Sequence, residues 1–226
     1  FYIAFSILIS FNSLAQDKER KFKIHTLAFY NLENLFDTIN DVNKNDEASP
    51  IMEIKFNRGN IYKQKVTNMA RVISEIGYDV TNRPPTIIGI CEVENRNVVE
   101  DLIANEKLSK YNYGIVHYDS PDRRGIDVGL LYNKNIFKVI NSNSHVLYIN
   151  YNNTSDRSFT RDQLVVSGKL DGELIHLIVN HWPSRGADET KRMAAAEVNN
   201  SIIDSLRKIH NNPKIITMGD FNDDPF

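Results

Sequence analysis

Four short polar clusters in this chain combine residue types that can hold a cation and act on a bound anion, and each directly follows an apolar run. Asn31-Leu32-Glu33-Asn34 closes the run Ile24 to Asn31 (IHTLAFYN), and Glu92-Val93-Glu94-Asn95 follows Thr86 to Cys91 (TIIGIC). Asn180-His181-Trp182-Pro183-Ser184-Arg185 follows Leu174 to Val179, and Gly219-Asp220-Phe221-Asn222-Asp223-Asp224 follows Lys214 to Met218 (KIITM). In sheet-based folds, strand ends are where side chains from distant segments converge over one pocket. Ends supplying Glu, Asp, Asn and His would build an acidic, oxygen-rich site with an imidazole in reach. Hard oxygen donors suit Mg²⁺, Mn²⁺ or Ca²⁺, whereas zinc favours more His or Cys.

The elements that must position these clusters are legible as apolar periodicity. Ile24 to Asn31 reads as a strand with a polar tip, and Thr86 to Cys91 as a fully buried strand after the breaker Arg83-Pro84-Pro85. Asp37 to Arg58 is polar and reads as a long loop. Asn60 is placed to cap a helix with Val66, Met69, Ala70, Ile73 and Ile76 on one face and Gly77 near its end. A second helix is predicted over Val98 to Leu108, and strands over Tyr113 to His117, Asp127 to Tyr132 and Val146 to Tyr151. Leu164 to Leu170 and Leu174 to Asn180 flank Asp171-Gly172, a hairpin turn signal. Glu189 to Ile209 has helical spacing, and Lys214 to Met218 is a last buried strand. Strands outnumber helices, with helices between some of them, which implies an α/β layered structure with more than one sheet face to cover.

Composition narrows the setting. With 226 residues, 41% hydrophobic and 25% charged, the chain can bury one sizeable core. A net charge of −2 argues against a surface coated for non-specific nucleic-acid binding, though not against a local basic groove. Cys91 is the only cysteine, so an intrachain disulfide and zinc-finger spacings are both excluded. As a residue in an apolar run with no adjacent base, it reads as a small buried hydrophobe rather than a nucleophile. Phe1 to Phe11 is apolar and uncharged, and Ser13-Leu14-Ala15 has the small-x-small pattern of a signal-peptidase site. The expectation is a signal peptide over 1–15 with its start clipped and export to a secreted or periplasmic location. The alternative is an anchor, for which the visible run is too short by itself.

NLEN (Asn31 to Asn34), EVEN (Glu92 to Asn95), RRGIDVGLLY (from Arg123), NHWPSR (Asn180 to Arg185) and GDFND (Gly219 to Asp223) occur in this order. The series resembles the endonuclease/exonuclease/phosphatase superfamily from about Lys23 onward, and its wording is most similar to bacterial exported nuclease-type members. The resemblance implies a four-layer sandwich of two packed mixed β-sheets flanked by helices. It also implies a single domain over 23–226, and a metal-dependent phosphodiester hydrolase. Carried over by motif, Glu92 is the metal-binding glutamate, Asn31 lies near the metal and Glu33 is an outer ligand. His181 contacts the scissile phosphate, Asp220 orients or activates the attacking water, and Asn222 holds a phosphate oxygen. Asp127 would sit near His181 and keep its imidazole protonated, and Arg124 and Arg185 would contact phosphate. The family pattern continues past GDFN to a strand carrying Ser-Asp-His. No such triplet follows Asp220 here, so the expectation is a domain truncated at its C-terminus.

The physical logic of that chemistry is straightforward. A Mg²⁺ or Mn²⁺ ion on Glu92 would polarise a phosphoryl oxygen and stabilise the leaving oxygen. A cationic His181 would add electrostatic stabilisation, and Asn222 would donate without adding charge. Asp220 alone is a weak base for the water. The substrate is expected to be DNA, RNA or another phosphodiester, with no obligate protein partner and a monomeric chain. Two alternatives remain: a phosphatase or phospholipid phosphodiesterase on the same fold, or a non-catalytic binding protein. A nuclease would show a basic stripe near Arg123, Arg124, Arg185 and Arg192, and a lipid-active enzyme exposed aromatic hairpins. Trp182 reads as a packing aromatic and Glu94 as a residue facing away from the pocket. Of the other histidines (His25, His117, His145, His176, His210), His117 is the first exception to having no role.

Overall fold

Alternate residues of the central strands face different hydrophobic cores, and that period of two dictates the layering. The computed structural model describes residues 22–150 and 157–224, so the signal peptide expected over 1–15 lies outside the described residues. The elements in chain order are β1 (Leu27–Leu35), α1 (Pro50–Glu53), α2 (Arg58–Glu75), α3 (Tyr78–Thr81), β2 (Ile87–Val93) and α4 (Arg96–Ala104). They continue with β3 (Tyr113–His117), β4 (Asp127–Asn133), β5 (Phe137–His145), β6 (Ile149–Asn150) and β7 (Arg157–Ser158). β8 (Gln163–Leu170), β9 (Glu173–His181), α5 (Glu189–Ile209) and β10 (Lys214–Asp220) complete the set.

The first sheet has the order β1-β2-β4-β3 and the second β10-β9-β8-β5. Each has one parallel pair, β1 with β2 and β10 with β9, and is otherwise antiparallel. On β2, Ile87 and Cys91 join Val128, Leu130, Val166, Leu177 and Val179 in the core between the sheets. Ile88 and Ile90 face the other way, onto Val66, Met69, Ala70 and Ile73 of α2 and Val98, Val99 and Leu102 of α4. Across the molecule, Val165 and Ile178 pack on Ile202 of α5. The result is helix, sheet, sheet, helix: the four-layer α/β sandwich of two mixed sheets. Each fully buried Ile or Leu in these layers contributes about 1.5–3 kcal/mol of transfer free energy.

Several local expectations shift, each for a visible reason. The long loop contains a 3₁₀ turn at Asp46–Ala48 and the single turn α1, which starts at Pro50 because proline is pre-organised for a helix start. The residue preceding α2 is Asn57, in a left-handed conformation, rather than Asn60. α4 begins earlier than Val98 because the Asn95 side chain accepts the Val98 amide and caps it. β5 has no apolar alternation after Phe137, being an edge strand, and so escaped the sequence pattern. The strand expected over Val146 to Tyr151 contracts to Ile149–Asn150, paired with Arg157–Ser158, and its Tyr151 lies outside the described residues. The Asp171-Gly172 hairpin forms as read, with φ of 49° and 89°. Among the described residues no helix is long and apolar enough to cross a membrane.

Candidate active site

Both parallel strand pairs end at the same end of the sandwich. Asn31 of β1 lies beside Cys91 of β2, and Asp220 of β10 lies beside His181 of β9. Strict alternation would put Val93 on the face of Cys91, between the sheets; instead Val93 packs with Ile88 and Ile90 on the helical side. The switch is absorbed at Glu92, which has φ 59° at a shift in the β2–β4 register. Glu33, Asn34 and Asn222 also have positive φ, at 51°, 55° and 50°. Non-glycine residues held there cost about 1–3 kcal/mol each and cluster at functional sites.

The Asn31 amide joins the two sheets. Its Nδ2 donates to Glu92 Oε1 at 3.0 Å and to Asp220 Oδ2 at 3.1 Å, while its Oδ1 accepts the Glu33 amide at 2.7 Å. Because Oδ1 is taken by a backbone N–H, the amide nitrogen must face the carboxylates. Asn31 is therefore a bridging donor between the two carboxylates. Glu92 Oε2 accepts the Asn34 amide at 2.9 Å, and His181 Nε2 stands 3.7 Å from Glu92 Oε1. Asp220 Oδ1 accepts the Asn222 amide at 3.0 Å, and Asn222 Nδ2 donates to the Trp182 carbonyl at 3.0 Å. The same carbonyl accepts Arg161 Nη2 at 2.6 Å, and Arg161 Nη1 reaches Asp122 at 3.4 Å.

Behind this front, neighbouring residues of the motifs do structural work. Asn180 points to the helical side, where its amide binds Thr217 and accepts from Asn199 of α5 and from the Trp182 indole. Trp182 also packs edge-on against Phe221, with ring centroids 4.8 Å apart. Lys65 of α2 donates to the Glu33 and Asn34 carbonyls and so secures the end of β1. Gly219 is where β10 can pass β9: a Cβ there would fall 2.6 Å from the Asn180 Cβ and closer still to the Asn180 carbonyl. Gly219→Ala is expected to displace Asp220 and lower turnover by about tenfold or more, since catalysis is sensitive to displacements of about 1 Å. Steady-state kinetics beside a thermal melt would check it; unchanged turnover would show that β10 tolerates the shift.

Burial dominates the electrostatics of His181. Its side chain is 6% exposed, its Nδ1 has no hydrogen-bond partner, and burial with the nearby Arg161 and Arg124 pushes its pKa down to about 2. Burial and the two guanidinium groups favour the neutral ring, while Glu92 Oε1 stands 3.7 Å from Nε2. Asp127, expected to hold His181 protonated, is committed elsewhere: Oδ2 meets His117 Nε2 at 3.1 Å and Oδ1 accepts the Ser120 amide at 2.7 Å. β4 delivers it to the same end of the sheet, but on a turn that closes over itself. Glu33 contributes its backbone, while its side chain is exposed. Arg124 is half exposed and lies 3.5 Å from Asp122, and Arg185 pairs with Asp224 at 2.6 Å on the rim of a cleft that includes Asp220 and Asn222.

Glu94 is buried rather than solvated and accepts the Asp37 amide at 2.7 Å. Burial, with Asp37, Asp46 and Asp41 facing it, raises its pKa to about 7. A carboxyl raised in the folded state binds more protons folded than unfolded, so stability falls as pH rises from about 4.5 to about 7. Glu94→Gln is expected to remove that fall, worth up to about 3 kcal/mol, in urea denaturation at pH 4.5 and pH 8. Identical pH profiles for the two proteins would refute it.

The donor set fits a hard divalent cation. Glu92 and Asp220 present oxygens to one shared amide donor, an arrangement of like charges that a cation would relieve. Cys91, His181 and Asp220 also bring ligand atoms within 4.8 Å of one another, as do His117, Asp119 and Asp127. Burial pushes the Cys91 thiol well up, which keeps it protonated and unsuited to bind metal. The site residues missed in the sequence are Arg161, the Trp182 carbonyl and the Asn34 amide. Arg161 had one signal, a charge placed directly before the buried strand β8, and backbone groups had none.

A model described as the Endonuclease/Exonuclease/phosphatase family matches residues 26–226. No curated protein matches the sequence. Truncated TDP2 from Caenorhabditis elegans is similar in structure, at TM-score 0.54 and 17% identity, covering 72% of this chain and 56% of that one. The human Nocturnin catalytic domain with bound sulfate anion is similar at TM-score 0.53 and 18% identity, covering 71% and 58%. ANGEL2, described as a 2',3'-cyclic phosphatase, is similar at TM-score 0.56 and 15% identity, covering 89% and 53%. The chain thus spans between 53% and 58% of the length of these structures.

Proposed function

This chain belongs to the endonuclease/exonuclease/phosphatase family, and we propose from that premise that it is an exported nuclease, hydrolysing phosphodiesters of DNA or RNA with Mg²⁺ or Mn²⁺. The observation that carries the reading is the shared Asn31 amide, which holds Glu92 and Asp220 together from opposite sheets with His181 3.7 Å from the same Glu92 oxygen. Five polar groups on four strand ends converge there, which a binding protein would have no need to assemble in this form. The leader-like run before Gln16 supports export.

Glu92, with Asp220 opposite, would hold the cation, which when bound supplies charge stabilisation to phosphoryl oxygens. His181 donates a ring N–H hydrogen bond to a phosphoryl oxygen. Asp220 accepts the proton of the attacking water, its two oxygens already oriented by Asn31 and the Asn222 amide. The second N–H of the Asn222 amide remains to bind a phosphate oxygen, since the first is spent on Trp182.

Hydrolysis of bis(p-nitrophenyl) phosphate and nicking of plasmid DNA, each with Mg²⁺ or Mn²⁺ and with EDTA, test the proposal. Turnover of both substrates with metal, lost in EDTA and restored by excess metal, is expected. Turnover that persists in EDTA, or action confined to the monoester p-nitrophenyl phosphate, would overturn it.

A further inference from the structure

Beside the hydrolytic site stands a column of alternating guanidinium and aromatic side chains that no step of the reaction uses. Arg123 lies over the Phe159 ring at 5.3 Å, and Arg157 lies over the same ring at 5.0 Å and over Tyr148 at 4.9 Å. These contacts link Arg123, Phe159, Arg157 and Tyr148. Phe159 is 40% exposed and Tyr148 61% exposed, so the column forms surface rather than core. Among the described residues, the buried Arg157 Nε and Nη2 have no hydrogen-bond partner, and neither Arg123 nor Arg157 has an ion pair. The column borders a pocket of about 200 Å³ whose lining brings Arg123, Arg124 and Arg161 together with one carboxylate, Asp122. Pro183 and Ser184, on the loop after His181, line its other wall. In a chain of net charge −2, this is a local excess of positive charge adjoining the catalytic end.

We propose that this column is a docking ledge for single-stranded nucleic acid. The proposal rests on the reading of the neighbouring site as a phosphodiester hydrolase. Aromatic faces and planar guanidinium groups both stack on unpaired bases, and guanidinium charge also neutralises the flanking phosphates. A duplex hides its base faces and could use only the charge. A membrane is a poorer match, because the charged Arg123 and Arg157 beside the exposed rings would have to be desolvated with them. The sequence alone placed a nuclease's basic stripe near Arg123, Arg124, Arg185 and Arg192, and gave a lipid-active enzyme's exposed aromatic hairpins no place. The fold merges them into one surface by bringing Arg123 onto Phe159.

The test is fluorescence anisotropy of a labelled 12-mer oligothymidylate with the whole protein in EDTA, beside a duplex of equal length and phosphatidylglycerol vesicles. The single strand is expected to bind about tenfold or more tightly than the duplex. The double variant Arg123→Ala/Arg157→Ala should weaken binding about tenfold or more. Its plot of log K against log salt should flatten by about 1.4, at about 0.7 for each phosphate that is no longer neutralised. Arg123→Lys/Arg157→Lys should keep the salt slope but lose the preference over duplex, because an ammonium does not stack. Binding by the alanine variant equal to that of the parent, or duplex or vesicles bound as well as the single strand, would overturn the ledge. Hydrolysis of bis(p-nitrophenyl) phosphate by the parent protein is read separately. Turnover without a ledge effect removes only the ledge, and a ledge effect without turnover removes only the hydrolase reading.

Discussion

Glu92→Gln and Asp220→Asn are each expected to lower phosphodiester turnover by about a thousandfold while the protein stays folded. Both substitutions keep the side-chain shape and remove the charge that holds a cation and, at Asp220, the base that takes the water's proton. Folding survives for a reason visible in the hydrogen bonds. Glu92 accepts from Asn31 Nδ2 and from the Asn34 amide, so a glutamine loses one of two acceptors and sets an NH₂ against a donor. Asp220 accepts from Asn31 Nδ2 and the Asn222 amide, and an asparagine meets the same conflict. The loss of about 1 kcal/mol per hydrogen bond is partly offset by relief of repulsion between the carboxylates. Turnover, a thermal melt and calorimetric Mn²⁺ titration separate these effects: activity and metal affinity fall together while the melt moves little. Parent-like turnover in Glu92→Gln would remove Glu92 from the chemistry altogether.

Arg161→Ala is expected to cost about 3 kcal/mol of stability and most of the activity. Arg161 is 6% exposed and its partner Asp122 is 4% exposed, so deleting the cation strands a buried carboxylate. Arg124 lies 3.5 Å from Asp122 but is half exposed, and can replace only part of the lost charge. The Trp182 carbonyl loses its 2.6 Å donor and is left to Asn222, which it helps to position. Arg161→Met with Asp122→Asn removes both charges and should recover much of the stability but not the turnover. Urea denaturation of the single and double variants checks the first half, and kinetics the second. A single variant as stable as the parent would mean that Asp122 gains water once the guanidinium leaves.

The end of the fold where the polar clusters meet was legible because its residues occupy strand ends, a position that apolar runs mark plainly. Glu92 after TIIGIC, His181 in NHWPSR and Asp220 after KIITM all arrive together in space. Asp127 also stands at a strand end, as its motif implied, yet its partner is not His181. Which residue a carboxylate meets depends on the turn from Tyr118 to Ile126, and that turn brings back Ser120 and leaves His117 in reach. The charge of His181 was likewise out of reach of motif reading. Burial and two guanidinium groups decide it, and Arg161 comes from a segment with no motif of its own.

Local chemistry and period therefore determined from the sequence what depends only on near neighbours along the chain. This covers the alternating strands, the Asp171-Gly172 turn and the helix faces. The tertiary structure alone decided what depends on opposing surfaces: that Asn31 turns its nitrogen to two carboxylates, that His181 is buried near Arg161 and Arg124, and that Arg123 lies over Phe159. The physical reason is that hydrogen-bond direction and desolvation are set by whichever groups arrive from the other sheet. A strand carries no record of its partners beyond the face it offers them.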